Sequence, residues 1–290
     1  QPVLQDMVQY LTRKYNRVTH KPCEGPIPGT PITEWFFSQD LKCPGYYHQS
    51  VLLELHTRIR FNQFQDLFNA LIRHHDSLRI NYDSKSRCLY YNPKYLSEPY
   101  PFIHLSIPNP EGRLEKIKEY SLQFKNQIRL DDDHLFRFVM YDLPNNRCYL
   151  QLIIHHLLVD GISWRIILRD IAAMIEQLEA GSPLVLPDKS DSFQNWALRL
   201  RDMTGSSVFK ELDYWYSVIS KDFIFPTDMD PLNTRTSRLE TLNREFPRKI
   251  NKRIVNSTAN FFQVKPHEIL IAALVLTIQK ITGTNQILIE

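Results

Sequence analysis

The sequence predicts an α/β fold, a two-layer sandwich in which helices cover a sheet. Short runs rich in β-branched and aromatic residues alternate along the chain with amphipathic stretches of helical period. Two extended runs flank the turn Pro144-Asn145-Asn146-Arg147, as in a hairpin. No internal repeat offers a solenoid instead. At 290 residues, 43% of them hydrophobic, the chain can bury one large core or two lobes. The expected division is a linker or helix over 1–18, an N-terminal lobe over 19–225 and the beginning of a C-terminal lobe over 226–290.

Each element has its own signal. Val3, Leu4, Met7, Val8 and Leu11 fall at helical spacing within 2–15, and the Pro- and Gly-rich stretch 21–32 reads as a linker. Residues 48–57 form a strand. An amphipathic helix over 60–79 lines up Phe61, Phe64, Phe68, Leu71 and His75 on one stripe. Strands follow at 78–83 and 88–92, then a charged helix within 108–128. The hairpin pairs 135–143 with 148–156. A helix over 163–181 turns Ile167, Ile171, Met174, Ile175 and Leu178 inward and stops at Gly181. Helices at 191–203 and 208–219 come next, then the polar stretch 225–237 as a lobe boundary. Helices at 251–262 and 266–281 and a strand at 285–290 open the second lobe.

Composition removes several classes of function. The net charge is +3 with basic residues scattered, so no nucleic-acid stripe exists. The start of the chain lacks a charged segment followed by an apolar one, and the longest apolar stretch, Ile269–Leu276, is too short to span a bilayer, so no membrane association is expected. Four cysteines without a CxxC pair suit a reducing cytoplasm rather than a disulfide framework or a zinc site. Eight glycines with no Gly-rich loop leave no phosphate cradle.

The chemistry concentrates in Gln151–Asp170, "QLIIHHLLVDGISWRIILRD", where an apolar run ends in two histidines. Side chains alternate along a strand, so His156 shares a face with Ile154 and Leu152 while His155 points the other way. Diverging histidines without a third and fourth ligand make a poor metal site, and none is expected. A general acid/base fits better, because imidazole exchanges a proton near neutrality. Asp160, in a turn that Gly161 permits, could orient the imidazole or pair with an arginine. Ser163 reads as a helix N-cap. His74 and His75, at the end of an amphipathic helix, read as structural.

His155-His156-Leu157-Leu158-Val159-Asp160-Gly161 resembles the HHxxxDG signature of the condensation-domain superfamily of nonribosomal peptide synthetases. The continuation Ile162-Ser163-Trp164-Arg165-Ile166 resembles the epimerization branch of that superfamily, as does "TPITEWFFSQ" (30–39), while "HHDSLRINY" (74–82), "SFQNWALRL" (192–200) and the run from His267 to Glu290 are similar to further segments of the family. Residues 2–15 look like the last helix of a peptidyl carrier protein. The resemblance implies a chloramphenicol-acetyltransferase-like fold, with two lobes in a V around a tunnel. It implies L-to-D epimerization of an aminoacyl or peptidyl thioester borne on the phosphopantetheine of a peptidyl carrier protein domain, with adjacent synthetase domains as further partners and no cofactor of its own. A condensing acyltransferase and a non-catalytic carrier-docking fragment are the alternatives.

By the same resemblance, His156 exchanges the proton. His155 and Gly161 are structural, and Asp160 forms an ion pair with Arg79 that holds the loop. Trp164 packs the helix start and, with Ser163, is a candidate for the tunnel wall. The family's opposing glutamate lies in a motif "EGHGRE". The chain stops at Glu290, about where that motif would begin, so a truncated second lobe is expected.

Overall fold

The structure, a computed structural model, describes residues 22–203 apart from 56, 58, 110, 145 and 146, and then 211–219, 242–284 and 287. The expected helix at 2–15, the polar boundary at 225–237 and nearly all of the last strand lie outside those residues. The chain divides into two compact units, 1–205 and 206–290.

Among the described residues, seven strands and six α-helices fall in the first unit. In chain order they are β1 (Gly25–Ile27), α1 (Pro31–Ser38), β2 (His48–Leu55), α2 (Phe61–His74), β3 (Ile80–Asp83), β4 (Cys88–Tyr91), α3 (Lys94–Ser97), β5 (Ile103–Ser106), α4 (Arg113–Asn126), β6 (Phe136–Leu143), β7 (Arg147–His155), α5 (Gly161–Glu179) and α6 (Phe193–Met203). A small sheet has the order β1-β4-β3 and a larger one the order β2-β7-β6-β5. All pairs are antiparallel except β5 with β6.

The hairpin forms as expected, with Leu143 opposite Arg147 and Phe136 opposite Ile154. β6 and β7 are central strands, and from Leu150 to His155 every β7 residue is buried. That accounts for a continuous apolar run where a half-exposed strand would alternate. Helix α2 sits on the face that carries Phe138, whose ring lies 4.6 Å from that of Phe68. Helix α5 packs against α2 and buries Ile167, Ile171 and Met174. Gly181, at φ 64° just past the last turn, ends α5 in the left-handed region that favours glycine. On the opposite face α4 reaches the sheet, with Gln151 Nε2 donating to Ser121 Oγ at 2.6 Å.

The stretch 21–32 is more ordered than a linker. Gly25-Pro26-Ile27 adds an edge strand to β4, and an edge tolerates proline because no neighbour needs its missing N–H. Helix α1 then starts at Pro31, where a missing N–H also costs nothing, and Thr33 Oγ1 accepts from the Thr30 N–H at 2.8 Å.

The second unit comprises α7 (Leu212–Ile219), α8 (Arg248–Lys252), a π turn (Arg253–Thr258), α9 (Ala259–Phe262) and α10 (Pro266–Thr282). No residue of α10 is buried. Leu270, Leu274 and Leu276 are all exposed. Among the described residues no single helix is long and apolar enough to cross a membrane.

Candidate active site

The two histidines stand where β7 ends. β2 runs antiparallel beside it, placing His48 opposite His155 and Gln49 opposite Ile154. Pairing continues one residue beyond the strand, because the His156 N–H donates to the Tyr47 carbonyl at 2.8 Å. The chain then turns through 156–158 and enters α5 at Gly161.

His155 is fully buried. Its Nε2 donates to the Pro44 carbonyl at 2.9 Å, and its Nδ1 accepts from the Leu157 N–H at 3.1 Å. A carbonyl only accepts and an amide N–H only donates, so the proton of this ring is fixed on Nε2. Burial pushes its pKa down to about 4, so the ring is neutral near pH 7. Gly45 makes the arrangement possible: a Cβ there would stand 2.2 Å from the Ile128 carbonyl oxygen.

His156 turns the other way, onto the wall of a cavity of about 480 Å³. Ile32, Trp35, Phe36, Phe193 and Trp196 make that wall largely apolar. The Tyr47 ring stacks on the imidazole, with centroids 5.3 Å apart and planes at 21°. Nε2 of His156 lies 3.0 Å from Nε2 of Gln49, whose Oε1 accepts from Trp164 Nε1 at 2.6 Å. Gln49 was not anticipated. Its signal in the sequence was an amide between His48 and Ser50 at the start of a strand, uninterpretable until the register set it on the face of His156.

Asp160 does neither of the things expected of it. Its Oδ1 accepts from the backbone N–H groups of Ile162 and Ser163, at 3.1 and 2.7 Å, and from the Ser163 hydroxyl at 2.7 Å. It is therefore the N-cap of α5, and those Ser163 contacts hold its carboxyl below the usual carboxylate range. Ser163 is not the cap but the third helical residue, and it lines the cavity.

Arg79 is buried and does not meet Asp160. It pairs with Asp76, three residues earlier in the same tight turn, and donates to the carbonyls of Cys23 at 3.1 Å and Asn92 at 3.3 Å. A nearer carboxylate within one turn takes the guanidinium, while the helix start takes the other carboxylate. Gly161 occupies the first helical position without a positive φ and with open space around it, so the turn does not depend on glycine. Trp164 is 9% exposed, packed at the helix start and absent from the cavity wall.

A second cluster joins His74, His75 and Asp170, with ligand atoms within 4.8 Å of one another. His75 Nε2 lies 3.0 Å from Asp170 Oδ2, while Arg169 donates to the other carboxylate oxygen at 3.1 and 3.2 Å. The carboxylate is thus already shared between a ring N–H and a guanidinium, which suits a strut between α2 and α5 better than a cation.

The sequence matches the family described as Condensation domain over residues 24–290. Surfactin synthase subunit 1 of Bacillus subtilis (strain 168) is 28% identical over 295 residues, covering 99% of this chain and 8% of that protein. Gramicidin S synthase 1 of Brevibacillus brevis is 26% identical over 299 residues, covering 100% of this chain and 27% of that protein. The chain therefore spans a small part of the relatives it matches. The solved epimerization domain from the third module of tyrocidine synthetase B is similar over 91% of this chain and 62% of that one, with a TM-score of 0.82 and 25% identity. The first condensation domain of the calcium-dependent antibiotic synthetase shares the fold at a TM-score of 0.66 and 15% identity, over 92% of this chain and 63% of that one.

Proposed function

The chain belongs to the condensation-domain family, and we propose that within it this domain is an amino-acid epimerase. It inverts the α-carbon of an aminoacyl or peptidyl thioester held on the phosphopantetheine of a peptidyl carrier protein domain, in nonribosomal peptide synthesis. The observation that supports this reading most is the link from His156 through Gln49 to Trp164. That tryptophan belongs to the Ile162-Ser163-Trp164-Arg165-Ile166 text that resembles the epimerization branch.

The thioester carbonyl makes the α C–H acidic, because the carbanion left behind delocalises as an enolate. Inversion needs the proton removed on one side of the carbon and a proton returned on the other. His156 supplies the exchanging group on one side, on the wall of a largely apolar cavity. The second group stands opposite; Glu290 is not assigned that role. His155 braces the turn, Asp160 caps the helix that follows, and Arg79 holds the neighbouring turn through Asp76. The partners are the carrier domain and adjacent synthetase domains. The free thiols suit a reducing cytoplasm.

The test is a chiral assay with carrier-bound aminoacyl thioester and the full-length polypeptide. His156→Ala should cut inversion by at least about a hundredfold, the lower end of what a positioned acid/base contributes, with folding intact. Inversion that survives in the folded variant rules out the assignment. The fold shared with a condensation domain favours one second reading, in which His156 assists an amine attacking a thioester. Peptide product from two loaded carriers, without inversion, would select it. Binding of a loaded carrier with neither product would leave a docking module.

A further inference from the structure

Which ring nitrogen of His156 carries its proton is decided by two other side chains. Indole Nε1–H can only donate, so the atom of Gln49 that meets Trp164 at 2.6 Å is the carbonyl oxygen. That fixes the amide, whose two ends would otherwise be interchangeable. The NH₂ end then faces His156 Nε2 at 3.0 Å. An amide NH₂ has no lone pair to offer, so Nε2 must accept.

Among the described residues no other neighbour hydrogen-bonds the His156 ring. Asp160 spends its Oδ1 on three donors of its own helix start, and neither of its oxygens hydrogen-bonds the His156 ring. His155 donates away from the site to Pro44. Tyr47 meets the His156 ring with its face.

We propose that Gln49 and Trp164 are positioning residues that hold His156 in its Nδ1–H tautomer, with Nε2 as acceptor. This is the reverse of the tautomer fixed on His155 next door. The inference rests on the reading of His156 as the group that faces substrate. It adds that an oxygen of the substrate reaching Nδ1 meets a donor. Uptake of a proton by the ring must occur at Nε2, after the Gln49 N–H lets go. Gln49 is therefore the group that yields when His156 acts as a base.

The test is nitrogen NMR of the 290-residue chain labelled with ¹⁵N-histidine, with His156 signals assigned by their loss in His156→Asn. The unaltered chain should show Nδ1 protonated and Nε2 bare by about ten to one, the bias that one mispaired half-buried donor imposes. Gln49→Glu places an acceptor against both partners and should move the proton to Nε2. Trp164→Phe frees the amide to turn and should give a mixture. An Nε2–H signal in the unaltered chain overturns the proposal, and so does a folded Gln49→Glu variant that leaves Nε2 bare. The first of these measurements needs only His156→Asn, used for assignment, to fold. If the tautomer is as stated but full-length polypeptide does not invert substrate, the epimerase reading falls and the relay stands.

Discussion

Helices α5 and α10 are close in length, 19 and 17 residues, and both are rich in apolar side chains. In α5 the apolar residues gather on one side, and Trp164, Ile167, Ile171 and Met174 are buried there. In α10 the run Ile269–Leu276 is apolar all the way round, and none of its residues is buried. A one-sided helix is written for a surface that covers one face; an all-round one is written for enclosure. Hydrophobic content alone therefore says little about what a helix contributes to stability. The contribution depends on which neighbours are present.

The comparison breaks hardest at the ion pair beneath α2. Asp76→Ala leaves the buried Arg79 guanidinium without its carboxylate and should cost about 3–5 kcal/mol, read by denaturant unfolding of the first unit. Truncating the inner face of α5 comes next. Met174→Ala should cost about 2–5 kcal/mol, as large-to-small changes in a filled core do.

Acid should act through His155. Its ring protonates at about 4 when folded, against about 6.5 unfolded. Between those values the unfolded chain binds the extra proton, so stability is full above pH 6.5 and declines as pH falls toward 4. The total loss is about 3 kcal/mol, and below pH 4 this ring adds no further loss. Thermal melts across that window should show the decline, to which His134, also pushed down to about 4 by burial, adds its own share, and a flat profile would mean the rings are not sealed from water.

Smaller effects sharpen the contrast. Asp160→Ala removes the cap of α5 and should cost about 1 kcal/mol, with Asp160→Asn recovering most of it. Leu274→Ala in α10 should change stability by no more than about 0.5 kcal/mol, because the side chain is already exposed. A loss as large as that of Met174→Ala would show that α10 is enclosed after all.

Much of this fold could be read along the chain. The stripe of α2, the hairpin and the glycine stop of α5 each follow from a periodicity or a turn residue within a short window. What could not be read were choices among partners. Asp160 had two plausible roles because a carboxylate next to a histidine and within reach of an arginine satisfies either pattern. The structure used a third, at the amides of the helix start. Arg79 found Asp76 for the same reason, since the nearest acceptor in space was also near in sequence. β1 was hidden because proline argues against a strand except at an edge, and edges are not visible in a single sequence. Gln49 was hidden because its meaning depends on strand register.

The site is also stitched together across great distances along the chain. His156 meets Gln49 across 107 residues, His155 meets Pro44 across 111, and Trp164 meets Gln49 across 115. During synthesis, β2 and the turn before it must wait for more than a hundred further residues before these contacts can form. Contacts of such separation close late, after local helices and hairpins have formed. The pocket is then among the last parts of the first unit to mature on the ribosome. A pause or truncation before α5 would leave a chain with much of its sheet and no working site.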